Sequence, residues 1–436
     1  MGEKRKMSLG AFLHPTGHHV AAWRHPDVNP NPLDFKEYVE MARIAESACF
    51  DTIFIADSVC TFDSPTAHQM ARSNYFEPLT LLAALSSVTS HIGLIATATT
   101  SYNEPYHIAR KFTSLDHLSG GRAGWNLVTT DAANEAMNFS RSSHFTHAER
   151  YVRAREFYQV VSGLWDSWDK DAFINDKKLG FTYDPDKLHE LNYHGKYFQV
   201  KGPLNIARSP QGKPVVVQSG SSEYGKNLAA ETAEVVFTAQ RSFNLAQKFY
   251  RDVKERMAKF GRCQHSLKIM PGVFIVTGKT ENTAKEKYNT FQELVKPEVG
   301  IALLGRMLGN FNLSSYDPNS ALPQLPLSEN GQKSRQKLLS EVGSSKNLSL
   351  AELGKYIAGG RGHYSLIGTP EKIVDELQRW FEGNAADGFN ILVPHLPNGL
   401  KDITKYIVPE LQRRKLFRTQ YIGTTLREHL GLSINL

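Results

Sequence analysis

The sequence predicts an α/β protein, a TIM (β/α)8 barrel with long insertions over its C-terminal mouth. Three features predict it. Eight short, strongly apolar runs recur along the chain. Helical patterns alternate with them, as parallel strands joined by crossover helices require. Two of the intervals are too long for simple connections, and in a barrel such segments cover the mouth. A doubly wound open sheet is the other arrangement that this alternation allows.

The runs cover residues 9–13, 52–57 (TIFIAD), 92–100 (IGLIATATT), 122–130 (RAGWNLVTT), 214–220 (PVVVQSG), 235–240 (VVFTAQ), 267–278 and 389–394 (FNILVP). They are apolar nearly throughout, as strands buried on both faces should be. Asp34 reads as the N-cap of the first helix, with Glu37 three residues on and Phe35, Tyr38, Val39, Ala42 and Cys49 recurring behind it. A helix is expected over about 147–165. Thr369 is expected to cap another, with Pro370 in its first turn, a stripe of Ile373, Leu377 and Trp380, and Gly383 at its end. The insertions fall at about 166–213 and 297–362. Residues 1–436 read as a single barrel domain.

Composition narrows the function classes. Of 436 residues, 41% are hydrophobic and 22% charged, which excludes a disordered or low-complexity chain. The net charge is +7, from 51 Lys and Arg against 44 Asp and Glu. These charges are interspersed, and Lys4-Arg5-Lys6 is the one tight basic run, so no nucleic-acid partner is expected. Three cysteines with no CxxC pair fit a reducing compartment and give no zinc signature. No run of 18 apolar residues marks a membrane span. A cytoplasmic location is the expectation.

In a barrel the C-terminal strand ends face the site. They bring up Asp57, Thr97, Thr99, Asn126, Thr129, Gly220, Ser221, Ser222 and Gln240, a polar and mostly uncharged set that suits a planar heterocycle. The competing role for each Thr or Asn is to satisfy a backbone group. The segment 218–224 (QSGSSEY) follows a strand and opens a helix, so its glycine, hydroxyls and helix start suit a phosphate. No GxGxxG or GxxxxGK[ST] follows a strand, which leaves a tightly bound dinucleotide or ATP without support. His14, His18, His19 and His25 cluster after the first run, but His18 and His19 are adjacent and diverge along an extended chain. His144 and His147 share a helical spacing without a carboxylate-rich partner set, so no metal is expected. No GxSxG elbow is present.

Long segments then carry a resemblance: 23–26 (WRHP), 54–57 (FIAD), 97–106 (TATTSYNEPY), 115–126 (LDHLSGGRAGWN), 147–151 (HAERY), 202–205 (GPLN), 218–222, 386–389 (ADGF), 408–412 (VPELQ) and 425–430 (TLREHL). Over nearly the whole chain the sequence resembles the bacterial luciferase-like flavin monooxygenases, and within them the nitrilotriacetate monooxygenase component A group. That group includes dibenzothiophene-sulfone, EDTA and long-chain alkane monooxygenases. The resemblance implies reduced FMN and O2 as co-substrates, and a flavin C4a-peroxide that oxygenates a small organic molecule such as an aminopolycarboxylate or organosulfur compound. It implies a separate NAD(P)H:flavin reductase and a homodimer or homotetramer. It places FMN at Asp57, Thr97, Asn126, His147, Tyr151, Ser221 and Ser222. Ser221, Ser222 and Tyr151 would hold the phosphate, and Asp57, Thr97 and Asn126 would read the ring. His18, His19, Tyr102, Arg361 and His363 are the pocket candidates. The lid stretch 300–305 (GIALLG) lacks the histidine of the alkane enzyme, which argues against a long-chain alkane. Two alternatives stay open: a deazaflavin-dependent hydride-transfer oxidoreductase of the same barrel superfamily, and a metal-dependent barrel hydrolase.

Overall fold

The computed structural model describes residues 5–62, 64–130, 132–326 and 333–433. Eight parallel strands follow one another around a barrel: β1 (Ser8–Phe12), β2 (Thr52–Ile55), β3 (Gly93–Thr99), β4 (Ala123–Val128), β5 (Val215–Ser219), β6 (Val235–Thr238), β7 (Lys268–Thr277) and β8 (Gly388–Leu392). Each pairs with the next, and β8 returns to β1 through Ser8↔Gly388 to Ala11↔Ile391, so the sheet closes. All eight expected runs form these strands, and the open-sheet alternative is excluded.

Alternate residues of each strand enter different cores, as the twofold period of a strand demands. Phe54, Ile95, Val215, Val217 and Phe274 share one cluster, and their neighbours Ile53, Leu94, Ala96, Val216 and Val273 join the other. The second cluster packs under α1 (Phe35–Ser47), α2 (Pro78–Ser86), α3 (Pro105–Ser119) and α4 (His147–Trp165). Next come α5 (Glu223–Thr232), α6 (Phe243–Arg256) and α7 (Glu281–Glu293). Leu426 closes the base: a Cβ on Gly93, at the start of β3, would stand 2.4 Å from its Cδ1.

The second insertion is helical. It contains α8 (Pro297–Met307), α9 (Lys333–Ser345) and α10 (Leu350–Ala358). Leu303, Leu304, Leu350, Leu353 and Ile357 give it a core of its own, shared with Val20, Phe62 and Met70 of the barrel loops. A Cβ on Gly354 would lie 2.6 Å from the Gly300 carbonyl carbon, so α8 and α10 cross at these two glycines. The first insertion carries a small hairpin, Tyr193–His194 against Gln199–Val200.

Two local readings need correction. An added strand, Tyr364–Gly368, lies outside the barrel and pairs with β7 from Tyr364↔Val273 to Gly368↔Thr277. It forms because the ten-residue β7 extends past β6, whose pairing ends at Thr238↔Pro271, and an exposed strand edge recruits a partner. Thr369 occupies the N-cap of α11 (Pro370–Glu382), but its side chain makes no capping bond. Its N–H instead donates to Glu281 Oε1 at 3.3 Å. Among the described residues, no helix is long and apolar enough to cross a membrane.

Candidate active site at the barrel mouth

The ends of β2, β3 and β4 bring three polar side chains together. Thr97 and Asn126 are direct partners in register. Asn126 Nδ2 donates to Thr97 Oγ1 at 2.8 Å, and Thr97 Oγ1 donates to the Ile55 carbonyl at 2.8 Å. Asn126 is 2% exposed, and its Oδ1 has no hydrogen-bond partner. A buried acceptor left unmet costs about 1–3 kcal/mol, so this oxygen is suited to a ligand N–H. Asp57, half-buried just past β2, has its carboxyl pushed up to about 6 by burial; Glu77 and Glu135 add to this and the Ser58 N–H opposes it.

Across the mouth, α4 and α5 begin side by side. Thr146 and Glu149 form a capping box that starts α4 at His147 and places Tyr151 one turn on. Ser222 caps α5, accepting the Gly225 N–H at 3.1 Å, and donates to Tyr151 OH at 3.5 Å. A Cβ on Gly220 would stand 3.2 Å from Gly225 Cα and 3.3 Å from Tyr151 OH, so glycine lets this loop pack tightly on the helix start. His147 lies 5.0 Å from the Tyr151 ring and 5.5 Å from Tyr224. Ser221 sits half-buried in the same turn.

A cavity of ≈ 950 Å³ lies between the mouth and the helical insertion. Phe12 and Phe237 line it, and both pack on Phe54 at 5.2 and 5.3 Å between ring centroids. Asp57 stands on one wall, and Ile301, Leu303 and Met307 of α8 on another. The remaining wall is cationic, with Arg72, Arg306 and Arg361 among His14, His18 and His363. Arg361 Nε donates to His18 Nε2 at 3.2 Å, and the His363 ring stacks on Phe237 at 5.2 Å. Arg72 donates to the His14 ring, to the His18 carbonyl at 2.9 Å and to the Gly17 carbonyl at 3.3 Å. Burial, then the neighbouring guanidinium (Arg72 for His14, Arg361 for His18), holds both imidazoles well below the ordinary histidine range.

The pocket candidates therefore divide. His18, Arg361 and His363 line the cavity. His19 turns away: its Nδ1 accepts the Ala21 N–H at 3.2 Å, its ring lies 5.4 Å from Phe291, and burial pulls its pKa down to about 3. Tyr102 lies past β3, hydrogen-bonded to His144 Nδ1 and stacked on Phe139 at 4.9 Å, outside the cavity wall. Arg72 and Arg306 are the residues that sequence reasoning misses. Arg306 carries a faint signal, since it follows Leu303 by one helical turn on α8. His25, Asp27 and His395 bring ligand atoms within 4.8 Å of one another. However, His25 Nδ1 accepts the Asp27 N–H, which keeps the proton on Nε2 and leaves that neutral ring no lone pair for a cation.

A closed barrel whose mouth offers a neutral polar edge, a glycine-serine turn at a helix start and a covered cavity is built as a (β/α)8 enzyme with its site at the C-terminal strand ends. The family model described as luciferase-like monooxygenase matches residues 12–387, and the chain belongs to that family. It is a flavin-dependent monooxygenase, and the hydrolase and deazaflavin alternatives fall away. The N-acetyl-S-(2-succino)cysteine monooxygenase of Bacillus subtilis (strain 168) is 49% identical over 432 residues, covering 99% of this chain and 97% of that one. Nitrilotriacetate monooxygenase component A of Aminobacter aminovorans is 46% identical over 444 residues, covering 99% and 98%. Among solved structures, DmoA from Hyphomicrobium sulfonivorans superposes with a TM-score of 0.90 at 31% identity, covering 98% of this chain and 92% of that one.

Proposed function

We propose that the chain receives reduced FMN from a separate NAD(P)H:flavin reductase and uses O2 to oxygenate a small organic substrate held in the covered cavity. The observation that carries this is the match between two distant features and the two ends of FMN. The cradle of Gly220, Ser221, Ser222 and Tyr151 at the start of α5 suits a phosphate. The orphaned Asn126 Oδ1, with Thr97 and Asp57, suits the polar edge of the ring. His147 lies at the cradle, against Tyr151 and Tyr224.

Bound reduced flavin supplies the chemistry with O2. The chain's own part is to bind, orient and keep water out. The Phe12, Phe54 and Phe237 rings make an apolar floor, and α8 covers the opening. His363 is an imidazole on the cavity wall, where an imidazole can take up a proton from a reacting molecule, while His18, held neutral by burial and Arg361, positions that guanidinium. Self-association into a dimer or tetramer is part of this reading, supported by the apolar surface of Ile174, Leu179 and Phe181 (49%, 67% and 58% exposed), and sedimentation measures it. A cytoplasmic setting is supported by free Cys49, Cys60 and Cys263.

The test is an anaerobic titration with reduced FMN, followed by mixing with air-saturated buffer. Tight binding of reduced FMN and oxygen uptake that couples to a substrate are expected. Ser222→Ala also removes a helix cap, so Tyr151→Phe is the cleaner probe, because it deletes only the hydroxyl. Each is expected to weaken reduced-FMN binding by about tenfold. Unchanged affinity in both variants defeats the phosphate assignment.

A further inference from the structure

Arg72 and Arg306 have no carboxylate partner among the described residues, although both line the cavity. Arg72 is held by the His14 ring and by the Gly17 and His18 carbonyls, which are all uncharged acceptors. The Arg306 guanidinium lies over the Phe62 ring at 4.4 Å. Arg361 joins them through His18. Among the described residues two acids border the cavity, the half-buried Asp57 and the exposed Glu298 at its rim. Arg72 is half-buried and Arg306 is exposed at the opening, and a half-buried guanidinium beside a second one is expensive without a counter-charge. The Arg72 pKa is pulled down to about 9, by burial and next by Arg306, which expresses that want of an anion.

The FMN phosphate is not that anion. Its cradle lies past β5, and none of Gly220, Ser221, Ser222 or Tyr151 lines the cavity, whereas Arg72 comes from the loop past β2 and Arg306 and Arg361 from the insertion between β7 and β8. A hydrocarbon does not answer it either, because an apolar guest would bury these charges further. A planar carboxylate fits a guanidinium fork in two parallel hydrogen bonds, and two or three separated forks select two or three carboxylates.

We infer that the Arg72–Arg306–Arg361 wall is the substrate anchor of this enzyme, and that its substrate is a small molecule bearing at least two carboxylates. The inference rests on the flavin reading only for the identity of the cavity as the reaction chamber. On it, the bond to be oxygenated lies toward the Phe12 and Phe237 floor, while the carboxylates stay at the cationic wall. Arg72 and Arg306 become the specificity-determining residues.

The test uses matched pairs: nitrilotriacetate and its trimethyl ester, and N-acetyl-S-(2-succino)cysteine and its trimethyl ester. Each is titrated calorimetrically into the protein, anaerobically, with and without reduced FMN. At least one acid is expected to bind, with its ester weaker by about tenfold or more. Arg306→Gln and Arg72→Gln are each expected to weaken the acid by a similar factor and to spare the ester. Arg306 is the necessary second variant, because Arg72 also ties down the Gly17–His18 turn. The inference is overturned if neither acid binds, if the esters bind as well as the acids, or if both variants stay within about twofold of the parent. Reduced-FMN affinity, read on the same proteins, separates the two readings. Its absence with acid binding intact refutes the flavin site and leaves this anchor standing.

Discussion

Between about pH 4 and pH 6, Asp57 keeps a proton that the unfolded chain releases. Burial lifts its carboxyl to about 6 in the folded protein, against about 3.9 for a free aspartate. Its stabilising contribution is therefore full below about pH 4 and is lost as the pH rises through 6. Asp57→Asn removes this dependence. The variant should gain on the parent between pH 5 and pH 8, by about 1 kcal/mol once solvent screening is allowed for. Denaturant unfolding at the two pH values measures it, and an equal difference at both would contradict the assignment. Asp57, Thr97 and Asn126 are legible in the sequence, because the end of a barrel strand fixes where its polar residues stand. Arg72 and Arg306 are not. Residues 60–76 have no period from which to read a direction, and one arginine on α8 looks the same facing solvent or a cavity until the helix is docked.

The helices of the second insertion show what periodicity conveys and what it omits. The long interval at 297–362 signals a cover over the mouth, but its internal core depends on contacts between α8 and α10. Those helices meet at Gly300 and Gly354, where no side chain separates them. Gly354→Ala puts a methyl group into a 2.6 Å gap against the Gly300 carbonyl carbon. Overpacking of this kind costs about 1–3 kcal/mol, which the better helix propensity of alanine offsets only in part. A displaced α8 would admit water to the cavity, so more hydrogen peroxide should escape per flavin oxidised. Reduced-FMN affinity should hold, because the proposed phosphate cradle is built on α4 and α5. A peroxidase-coupled assay of uncoupled turnover reads the first effect. An unchanged peroxide yield would mean that α8 does not seal the cavity. The added strand Tyr364–Gly368 escapes sequence reading for a related reason: it exists to pair the overhang of β7, and that overhang depends on where β6 ends.

Across the whole molecule, chemistry and stability occupy opposite ends of one barrel. The eight strands and their order are legible because each run is apolar on both faces, and only a covered sheet tolerates that. The plug at the base is not, although residues 425–430 stand out in the sequence as a long motif. A segment that returns from the end of the chain to the strand starts is a long-range contact without a local signal. Leu426, Leu430 and Leu432 join the cluster that fills the barrel, while buried Arg427 pairs with Glu234 and donates to the Lys213 carbonyl at 3.0 Å. Leu426 is fully buried against Gly93 and Gly124, two positions with no side chain to collapse into a void. Leu426→Ala should therefore lose about 2–5 kcal/mol of stability, toward the upper part of that range because the glycines cannot refill the space. The cradle past β5 and the cationic wall, built from the loop past β2 and the insertion after β7, sit at the other end of the strands. Reduced-FMN affinity and low-temperature turnover should then stay at the parent's values while the denaturation midpoint falls. A fall in flavin affinity at low temperature, with the fold intact by circular dichroism, would mean that the base transmits strain along β3 and β4 to Thr97 and Asn126. The two ends would then be one mechanical unit.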